Sequence, residues 1–321
     1  MQNNQNPLVS IVIPVYNGAN YMREAIDSAL SQTYENIEVL VVNDGSTDNG
    51  ATEKIALSYG SRIRYFYKEN GGVSSALNLG IREMRGEYFS WLSHDDVYTK
   101  EKILCQIETL NRLSKPDALC YCRCVHIDKD SQEIKSKEKG CGFNTNEIID
   151  YKKVLLNLFK CGSYNGCGFL IPQKIFTDNN LFFDEHMRYS QDVFMWYQIF
   201  LRQNCLVVAD CVGVKGRIHG KQLSQTGNAL FKKDSLSICN LLIDDIIANS
   251  SKEYNFVFYY IMDNAKHGNK AVVKIGIKKA KLLKKLSAAQ RAKIRLFSIY
   301  GSVRPFIRKV YYRLFKHVKT N

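Results

Sequence analysis

The sequence predicts an α/β fold with a mostly parallel sheet, helices on both of its faces and a basic helical segment at the C-terminal end. Short apolar, β-branched runs alternate with segments of helical spacing, and the loops between them are short. Polar or glycine residues follow each of the first four apolar runs. Ligands of such sheets bind at the carboxyl ends of the strands, so these loops are where we look for function.

The first half of the chain is the most regular. Leu8–Val15 is an apolar run typical of a buried strand, and Tyr21–Ser31 follows with helical spacing. The same alternation predicts three further strands and two helices: Ile37–Val42, Arg62–Tyr67 and Tyr88–Leu92 as strands, Asp48–Ser58 and Ser74–Met84 as helices.

The second half alternates less regularly. Its predicted elements are helix Lys100–Leu113, strand Ala118–Ile127, a charged loop or hairpin turn Asp128–Gly140, helix Ile148–Phe159, the glycine-rich stretch Gly162–Gly168, strand Phe169–Ile171 with a short helix opened by Pro172, helix Phe194–Leu201 and strand Cys205–Val214. From about Phe231 onwards the pattern is helical. We therefore predict an α/β domain over residues 1–228 and a helical, basic region over residues 229–321.

Four strand ends carry the polar residues that suggest chemistry: Tyr16-Asn17-Gly18, Asn43-Asp44-Gly45-Ser46, Asn70-Gly71-Gly72 and Asp95-Asp96. The last pair directly follows the apolar strand of EYFSWLSHDDVY. Two carboxylates at a sheet edge suit a divalent cation with oxygen ligands. The alternative is that they cap the next helix, where Asp is also favoured. The three neighbouring loops favour the cation.

Charge is concentrated at one end of the chain. The net charge is +14, yet residues 264–321 hold 17 Lys and Arg and no acidic residue, which leaves 28 basic and 31 acidic residues before them. Basic segments interleaved with aliphatic and aromatic residues bind anionic membrane surfaces, so we expect residues 264–321 to do so. A solvated helical bundle is the alternative. Nucleic-acid binding is not expected, because no known nucleic-acid motif accompanies the charge.

Composition predicts a cytoplasmic protein. The start, MQNNQNP, lacks the basic and apolar regions of a secretory signal, and no run reaches the roughly 18 apolar residues of a membrane span. The ten cysteines are therefore expected to be reduced thiols. Cys120, Cys122 and Cys124 alternate on one face of a strand, which is not the spacing of a zinc site.

Five stretches, in this order, resemble the family 2 inverting glycosyltransferases. They are Val9–Asp48, Asn70–Ile81, Glu87–Asp96, Tyr189–Arg202 and Arg217–Thr226. The resemblance implies the Rossmann-like GT-A fold, a nucleotide-diphosphate sugar as donor (usually a UDP-sugar) and Mn2+ or Mg2+. It also implies a saccharide or lipid-linked saccharide as acceptor, which would place the enzyme on the inner face of the cell membrane.

The resemblance assigns donor binding to residues at the strand ends. The tyrosine ring offers a stacking face, and an acceptor-only carboxylate suits the imide N–H of uracil. The implied nucleotide-sugar-binding residues are Pro14, Tyr16, Asp44, Asn70, Gly71, Asn78, Ser93, His94 and Arg217. This chain departs from many relatives at Leu77, where they carry a basic residue.

The resemblance also implies the metal ligands and the general base. Asp95, Asp96 and His219 are the implied metal-binding residues, although Ser93 stands where the family's Asp-x-Asp signature has its first Asp. Asp192 holds the position of the base that takes the proton of the acceptor hydroxyl. The alternative is that Asp192 only caps the following helix.

Two other functions stay open at this point. One is a sugar-nucleotide pyrophosphorylase-like nucleotidyltransferase, which would carry a basic, glycine-rich phosphate loop near the N-terminus; PVYNGAN has no Lys or Arg. The other is a catalytically silent, membrane-associated scaffold with the same fold.

Overall fold

The computed structural model describes residues 6–139, 141–161, 164–202, 204–220, 233–241, 258–259, 261–262, 264–265, 269–282 and 287–299. The chain forms two compact units, Met1–Gly227 and Asn228–Asn321. Part of the predicted motif Arg217–Thr226 and much of residues 264–321 lie outside the described residues.

The first unit opens with strands and helices in alternation. In chain order the elements are β1 (Val9–Val15), α1 (Met22–Leu30), β2 (Ile37–Asp44), α2 (Ala51–Leu57), β3 (Arg64–Lys68), α3 (Val73–Glu83) and β4 (Tyr88–Trp91). Every residue of β1 is buried, as expected for a central strand covered on both faces. The predicted α/β architecture is confirmed.

Four parallel strands form one half of the sheet, in the order β3-β2-β1-β4. β1 pairs in parallel with both β2 and β4, so the carboxyl ends of all four strands lie on one edge. Pro14 comes after Val12, the last β1 residue that pairs with β4. The missing N–H of this proline is therefore tolerated within a central strand.

The second half of the unit holds the remaining elements: β5 (Val97–Tyr98), α4 (Lys102–Arg112), β6 (Leu119–Ile127), β7 (Glu133–Lys139), β8 (Ile148–Ile149), α5 (Tyr151–Cys161), β9 (Phe169–Pro172), α6 (Gln173–Asn179), α7 (Gln191–Leu201) and β10 (Leu206–Arg217). The sheet continues from β4 through β9, β6 and β10 to β5. β9 pairs antiparallel with both β4 and β6, and this junction is where the direction of the strands changes.

Several element predictions in this half need correction. Ile148 and Ile149 are not helical; they pair antiparallel with the start of β10, and the helix begins only after Asp150, whose carboxylate accepts the N–H of Lys152. For the segment predicted as a charged loop or hairpin turn, the structure shows the hairpin, in which β7 pairs antiparallel with β6. β10 extends to Arg217, three residues beyond the predicted end, because it pairs along the whole of β6.

The second unit is helical where it is described. Helix α8 (Lys270–Leu282) buries Val272 and Val273, and a Cβ at Gly276 would lie 2.5 Å from the side chain of Ile261. Residues 233–241 and 288–299 are also helical. In the part of the chain that the structure describes, no helix combines the length and the apolar character needed to cross a bilayer.

Candidate active site

The loops after β1 and β2 are tied to each other at the carboxyl edge of the sheet. Asn17 adopts φ +49° and accepts the N–H of Thr47 at 2.7 Å, while its own N–H donates to Ser46 Oγ at 2.9 Å. Tyr16 precedes this link and is 46% exposed. An exposed ring at this edge is available for stacking, as the donor-binding prediction requires.

Asp44, at the end of β2, holds the loop that follows β3. Its Oδ1 accepts the N–H of Gly71 at 2.9 Å, and its Oδ2 accepts the N–H of Gly72 at 2.7 Å. Lys68 Nζ adds an ion pair at 2.8 Å, and Asn70 donates to the Asp44 carbonyl at 2.8 Å. The carboxylate therefore anchors what we call the glycine loop, Asn70–Gly72, and its buried position leaves little of it exposed.

Asn78 is engaged by the protein itself. Its side chain accepts the N–H of Phe183 at 2.8 Å and donates to the Phe183 carbonyl and to Glu185 Oε1, both at 2.9 Å. The amide is thus a clamp that fixes residues 183–185 on α3. Both polar atoms of the amide thus bind groups of the protein itself, and this gives no support to the predicted contact between Asn78 and the sugar-nucleotide donor.

The turn after β4, Ser93–Asp96, is the acidic turn of the site. Asp95 Oδ2 lies 3.0 Å from His219 Nε2, and the two side chains are 14% and 15% exposed. The ring of His219 also lies 5.3 Å from the ring of Tyr21, the residue that precedes α1. The end of β10 therefore delivers an imidazole to the carboxylate that the sequence predicts as a metal ligand.

Asp96 faces the interior rather than sharing the position of Asp95. Its Oδ1 accepts the N–H of Arg217 at 2.9 Å, and Cys167 Sγ donates to its Oδ2 at 3.4 Å. Burial, reinforced by the charge of Asp95, raises the pKa of Asp96 to about 7. This geometry makes Asp96 a support of the turn, so its predicted metal contact is not favoured.

Arg217 supports the acidic turn from the end of β10, and its side chain is 0% exposed. Its Nε donates to the Asp95 carbonyl at 2.8 Å, its Nη2 to Glu24 at 2.7 Å and its Nη1 to Ser131 Oγ at 2.9 Å. The guanidinium also lies 4.4 Å from the centroid of the Tyr21 ring. A buried guanidinium bound in this way argues against the predicted contact with a diphosphate.

Ser93 and His94 also contact the protein around them. Ser93 donates its N–H to Cys167 Sγ at 3.3 Å, and a Cβ at Gly18 would lie 2.7 Å from His94 Cδ2. Burial lowers the pKa of His94, and the neighbouring Asp95 only partly opposes this. Burial therefore favours the neutral form of the ring, which packs against the turn after β1. Donor contacts by these two residues stay a prediction.

Asp192 lies in the first turn of α7, and its Oδ1 accepts the N–H of Val193 at 2.7 Å. The positive end of the helix dipole stabilises a carboxylate at this position. Trp196 of the same helix packs on Phe169 of β9, with 4.3 Å between the ring centroids, and so fixes α7 to the sheet. These contacts agree with a positioned base and equally with a helix-terminal carboxylate.

Two residues of the site escaped prediction. Cys167 contacts both Ser93 and Asp96, yet the sequence showed only a glycine-rich stretch there. Arg188 donates to the Gly71 carbonyl at 3.0 Å and so reaches the glycine loop from a distant segment. A cation four residues before Asp192 is the signal that could have drawn attention to it.

The pair Asp95–His219 fits a divalent cation only in part. Adjacent ligands of an octahedral ion at about 2.1 Å lie about 3.0 Å apart, and the two side-chain atoms of the pair are 3.0 Å apart. Among the described residues, however, no group of three or more His, Cys, Asp or Glu side chains is arranged to hold a metal ion. A metal here would therefore take its other ligands from water and substrate, as Mg2+ commonly does.

Residues 10–178 match the family model described as glycosyl transferase family 2. The chain is also 50% identical over 226 residues to an uncharacterized glycosyltransferase of Rickettsia typhi, an alignment that covers 70% of this chain and 68% of that protein. The chain belongs to glycosyl transferase family 2. The predicted family and the transferase class are thereby confirmed.

Other similarities are partial or concern the fold alone. The hyaluronan synthase of Pasteurella multocida is 42% identical over 128 residues, which cover 36% of this chain and 13% of that protein. The crystal structure of Staphylococcus aureus TarS 1–349 in complex with UDP-GlcNAc superposes with a TM-score of 0.70 at 16% identity, over 92% of this chain and 91% of that one. It bears out the predicted fold. The chain spans between 34% and 68% of the length of the first curated relatives that it matches.

Proposed function

We propose that this family 2 glycosyltransferase transfers a sugar from a UDP-sugar to a hydroxyl of a saccharide or lipid-linked saccharide, with inversion and with a divalent cation. The observation that carries the proposal is the convergence of His219 on Asp95 at 3.0 Å beside the ends of the parallel strands. A similar fold in TarS binds UDP-GlcNAc, and a relative is a hyaluronan synthase, which supports a UDP-sugar donor and a saccharide acceptor.

The donor would lie along the strand ends. The exposed ring of Tyr16 suits stacking on the base, and the Asp44 carboxylate lies beside the glycine loop at the end of the next strand. A carboxylate has about four lone-pair sites, and three of them accept bonds from Lys68, Gly71 and Gly72. The remaining site suits the imide N–H of uracil.

Asp95 and His219 would hold Mn2+ or Mg2+ together with diphosphate oxygens and water. The ion would neutralise the negative charge that develops on the departing diphosphate. Arg217 and Asp96 would not bind the ion themselves. Arg217 binds the backbone of the acidic turn, and Asp96 binds the backbone of β10. They orient the ligands and do not touch the substrate.

Asp192 would act as the base. It takes the proton of the acceptor hydroxyl, whose oxygen forms a bond to the anomeric carbon while the bond to the diphosphate breaks. A single displacement of this kind inverts the configuration at that carbon. A positioned general base contributes about 10²- to 10⁴-fold to such a step.

A transfer assay with the full chain and a panel of UDP-sugars tests this reaction. We expect Asp192→Asn to lower turnover by at least about 100-fold with UDP binding unchanged, and Asp95→Ala to abolish the response to added Mn2+. The matched control is Asp178→Ala, which removes an exposed carboxylate of α6 and should leave turnover unchanged.

If Asp192→Asn turned over as fast as the wild type, Asp192 would not be the base. Full activity in excess EDTA would refute the requirement for a metal ion. The same assay with a measurement of pyrophosphate distinguishes a nucleotidyltransferase from a glycosyltransferase. A catalytically silent scaffold would give no product with any sugar in the panel.

We further propose that the second unit binds an anionic membrane surface from the cytoplasmic side. In the helix at residues 288–299, Leu296 and Ile299 are 66% and 64% exposed beside Lys293 and Arg295. Exposed aliphatic side chains flanked by cations suit binding to anionic lipid.

Co-sedimentation with vesicles tests this surface. We expect binding to phosphatidylglycerol vesicles and little to phosphatidylcholine vesicles, and we expect Lys293→Glu/Arg295→Glu to lower the bound fraction severalfold. A matched change in the first unit, Arg82→Glu, is the control. Equal binding of the double variant and the wild type would refute the proposal.

A further inference from the structure

Arg188 is an exposed arginine that lies against the glycine loop. Its Nη1 donates to the Gly71 carbonyl at 3.0 Å. Gly72 has φ +90°, and a Cβ at that position would lie 2.3 Å from the same Nη1. Because glycine leaves this space open, the guanidinium can settle directly on the loop. The loop and the arginine are complementary in shape.

The segment that carries Arg188 is fixed to the sheet rather than loosely attached. Asn78 binds both the N–H and the carbonyl of Phe183, at 2.8 and 2.9 Å. A turn follows, in which Asp184 accepts the N–H groups of His186 and Met187 through its side chain and its carbonyl. The backbone therefore reaches Arg188 from a defined starting point, and the guanidinium is delivered to one side of the glycine loop.

The other cations near these strand ends are differently engaged. In the described part of the site, the Arg217 side chain is 0% exposed and Lys68 is in an ion pair with Asp44 at 2.8 Å. Leu77 on α3 is apolar and fully buried. Arg188 differs from these residues in that it lies at the surface and contacts the glycine loop itself, through the Gly71 carbonyl.

A guanidinium in this place suits a phosphate ligand. Arginine presents a planar fork of donors that binds phosphate oxygens in pairs, and a bond to a charged oxygen is roughly twice as strong as one to a neutral carbonyl. A diphosphate beside the glycine loop would therefore draw the guanidinium from Gly71. Asp192 follows four residues later, so the same segment would bring the cation and the base to one substrate.

We propose that Arg188 binds the diphosphate group of the sugar-nucleotide donor. This inference rests on the proposed function, since it assumes a nucleoside diphosphate at the strand ends. It assigns to residue 188 the cationic contact that Leu77 and Arg217 do not supply.

Isothermal titration calorimetry with UDP, UMP and uridine on the full chain tests the assignment. A charge-assisted hydrogen bond is worth about a 10- to 100-fold change in affinity, so we expect Arg188→Ala to weaken UDP binding by about that factor. Uridine, which lacks phosphate, should bind as it does to the wild type, and UMP should show a smaller loss than UDP. Arg188→Lys, which keeps the charge but not the fork, should fall between Arg188→Ala and the wild type.

The control is Arg82→Ala, which removes another exposed arginine, one that lies over the Phe182 ring at 5.9 Å. UDP binding by Arg188→Ala equal to that of the wild type would overturn the inference and leave the proposed function standing. An equal loss for UDP and uridine would also overturn it, because that pattern belongs to a loop-positioning role. A wild type that binds no nucleoside diphosphate would remove both proposals.

Discussion

The glycine loop and the acidic turn lie at the same edge of the sheet but are stabilised in different ways. Asp44 holds the glycine loop through partners 24 to 28 residues away, on the next strand and the loop after it. The acidic turn is held by Cys167, Arg217 and His219, which lie 71 to 124 residues further along the chain. The first arrangement forms between neighbouring strands, whereas the second needs β9 and β10 to be in place.

This difference separates donor binding from assembly of the predicted metal site. Changes in β10 should disturb the acidic turn and leave the glycine loop intact, and changes at Asp44 should do the reverse. The predictions for Arg217 and Asp44 below test that separation.

The largest expected effect is on the acidic turn, from Arg217→Ala. The change removes the buried guanidinium, which donates hydrogen bonds to Glu24, to Ser131 and to the Asp95 carbonyl. Breaking a buried charge pair costs about 3–5 kcal/mol, and because Glu24 is half exposed we expect the lower end of that range. Urea denaturation measures the loss in the free energy of unfolding.

Arg123→Ala is the matched control for Arg217→Ala. Its partner Asp210 is 57% exposed at 3.1 Å, so the loss should stay below about 1 kcal/mol. Similar losses for the two variants would mean that the Arg217 contacts contribute little, and the contrast between the two regions would fail.

The same contrast explains what the sequence could predict. The strands and helices from β1 to β4 agree with the predicted ones within a few residues, because each strand is an apolar run closed by a polar loop. Asp44 and Asn70 were predicted to lie at the same edge of the sheet because both follow parallel strands, and the structure joins them by a hydrogen bond. Local pattern and parallel topology were enough there.

The second half gave weaker signals. β8 is two residues long and exists only because it pairs with β10, so its residues were placed in the following helix. Arg217 and Asn78 were predicted as donor contacts, yet their side chains bind carbonyl groups of the protein that lie 122 and 105 residues away in the sequence. A single sequence does not record which distant carbonyl a guanidinium will reach.

The next effect in size is on the glycine loop, from Asp44→Ala. The change leaves the N–H groups of Gly71 and Gly72 without their acceptor and removes the partner of Lys68. A buried donor without an acceptor costs about 1–3 kcal/mol, so we expect a loss of about 2 kcal/mol in stability together with a loss of UDP affinity. Chemical denaturation and calorimetry measure the two effects.

Glu69→Gln is the control for Asp44→Ala, since it changes an exposed carboxylate next to the same loop. It should leave stability and affinity unchanged. Neither variant should affect the acidic turn. The informative measurement is therefore whether added Mn2+ still raises the residual turnover of each variant. A lost metal response in Asp44→Ala would show that the two regions are not independent.

The smallest effect concerns Lys102, which lies behind the acidic turn where β4 meets β9. Its Nζ donates to Ser90 Oγ at 3.0 Å and to Gln106 Oε1 at 2.9 Å, and it also lies within 3.4 Å of the Phe169 carbonyl. Burial lowers the pKa of this ammonium from its ordinary value of 10.5. The folded protein therefore binds fewer protons at this site than the unfolded chain does, over the interval between the two pKa values.

Stability rises with pH wherever the unfolded state binds more protons. The wild type should therefore gain stability relative to Lys102→Met as the pH rises from 7 towards 10, by less than about 1.4 kcal/mol per pH unit, the limit for a single group. Thiols and Tyr98 surround the amine, and both proteins keep them, so the difference between the two denaturation curves isolates Lys102. A difference that stayed constant across this range would mean that Lys102 keeps its ordinary pKa, and that the junction between β4 and β9 admits water.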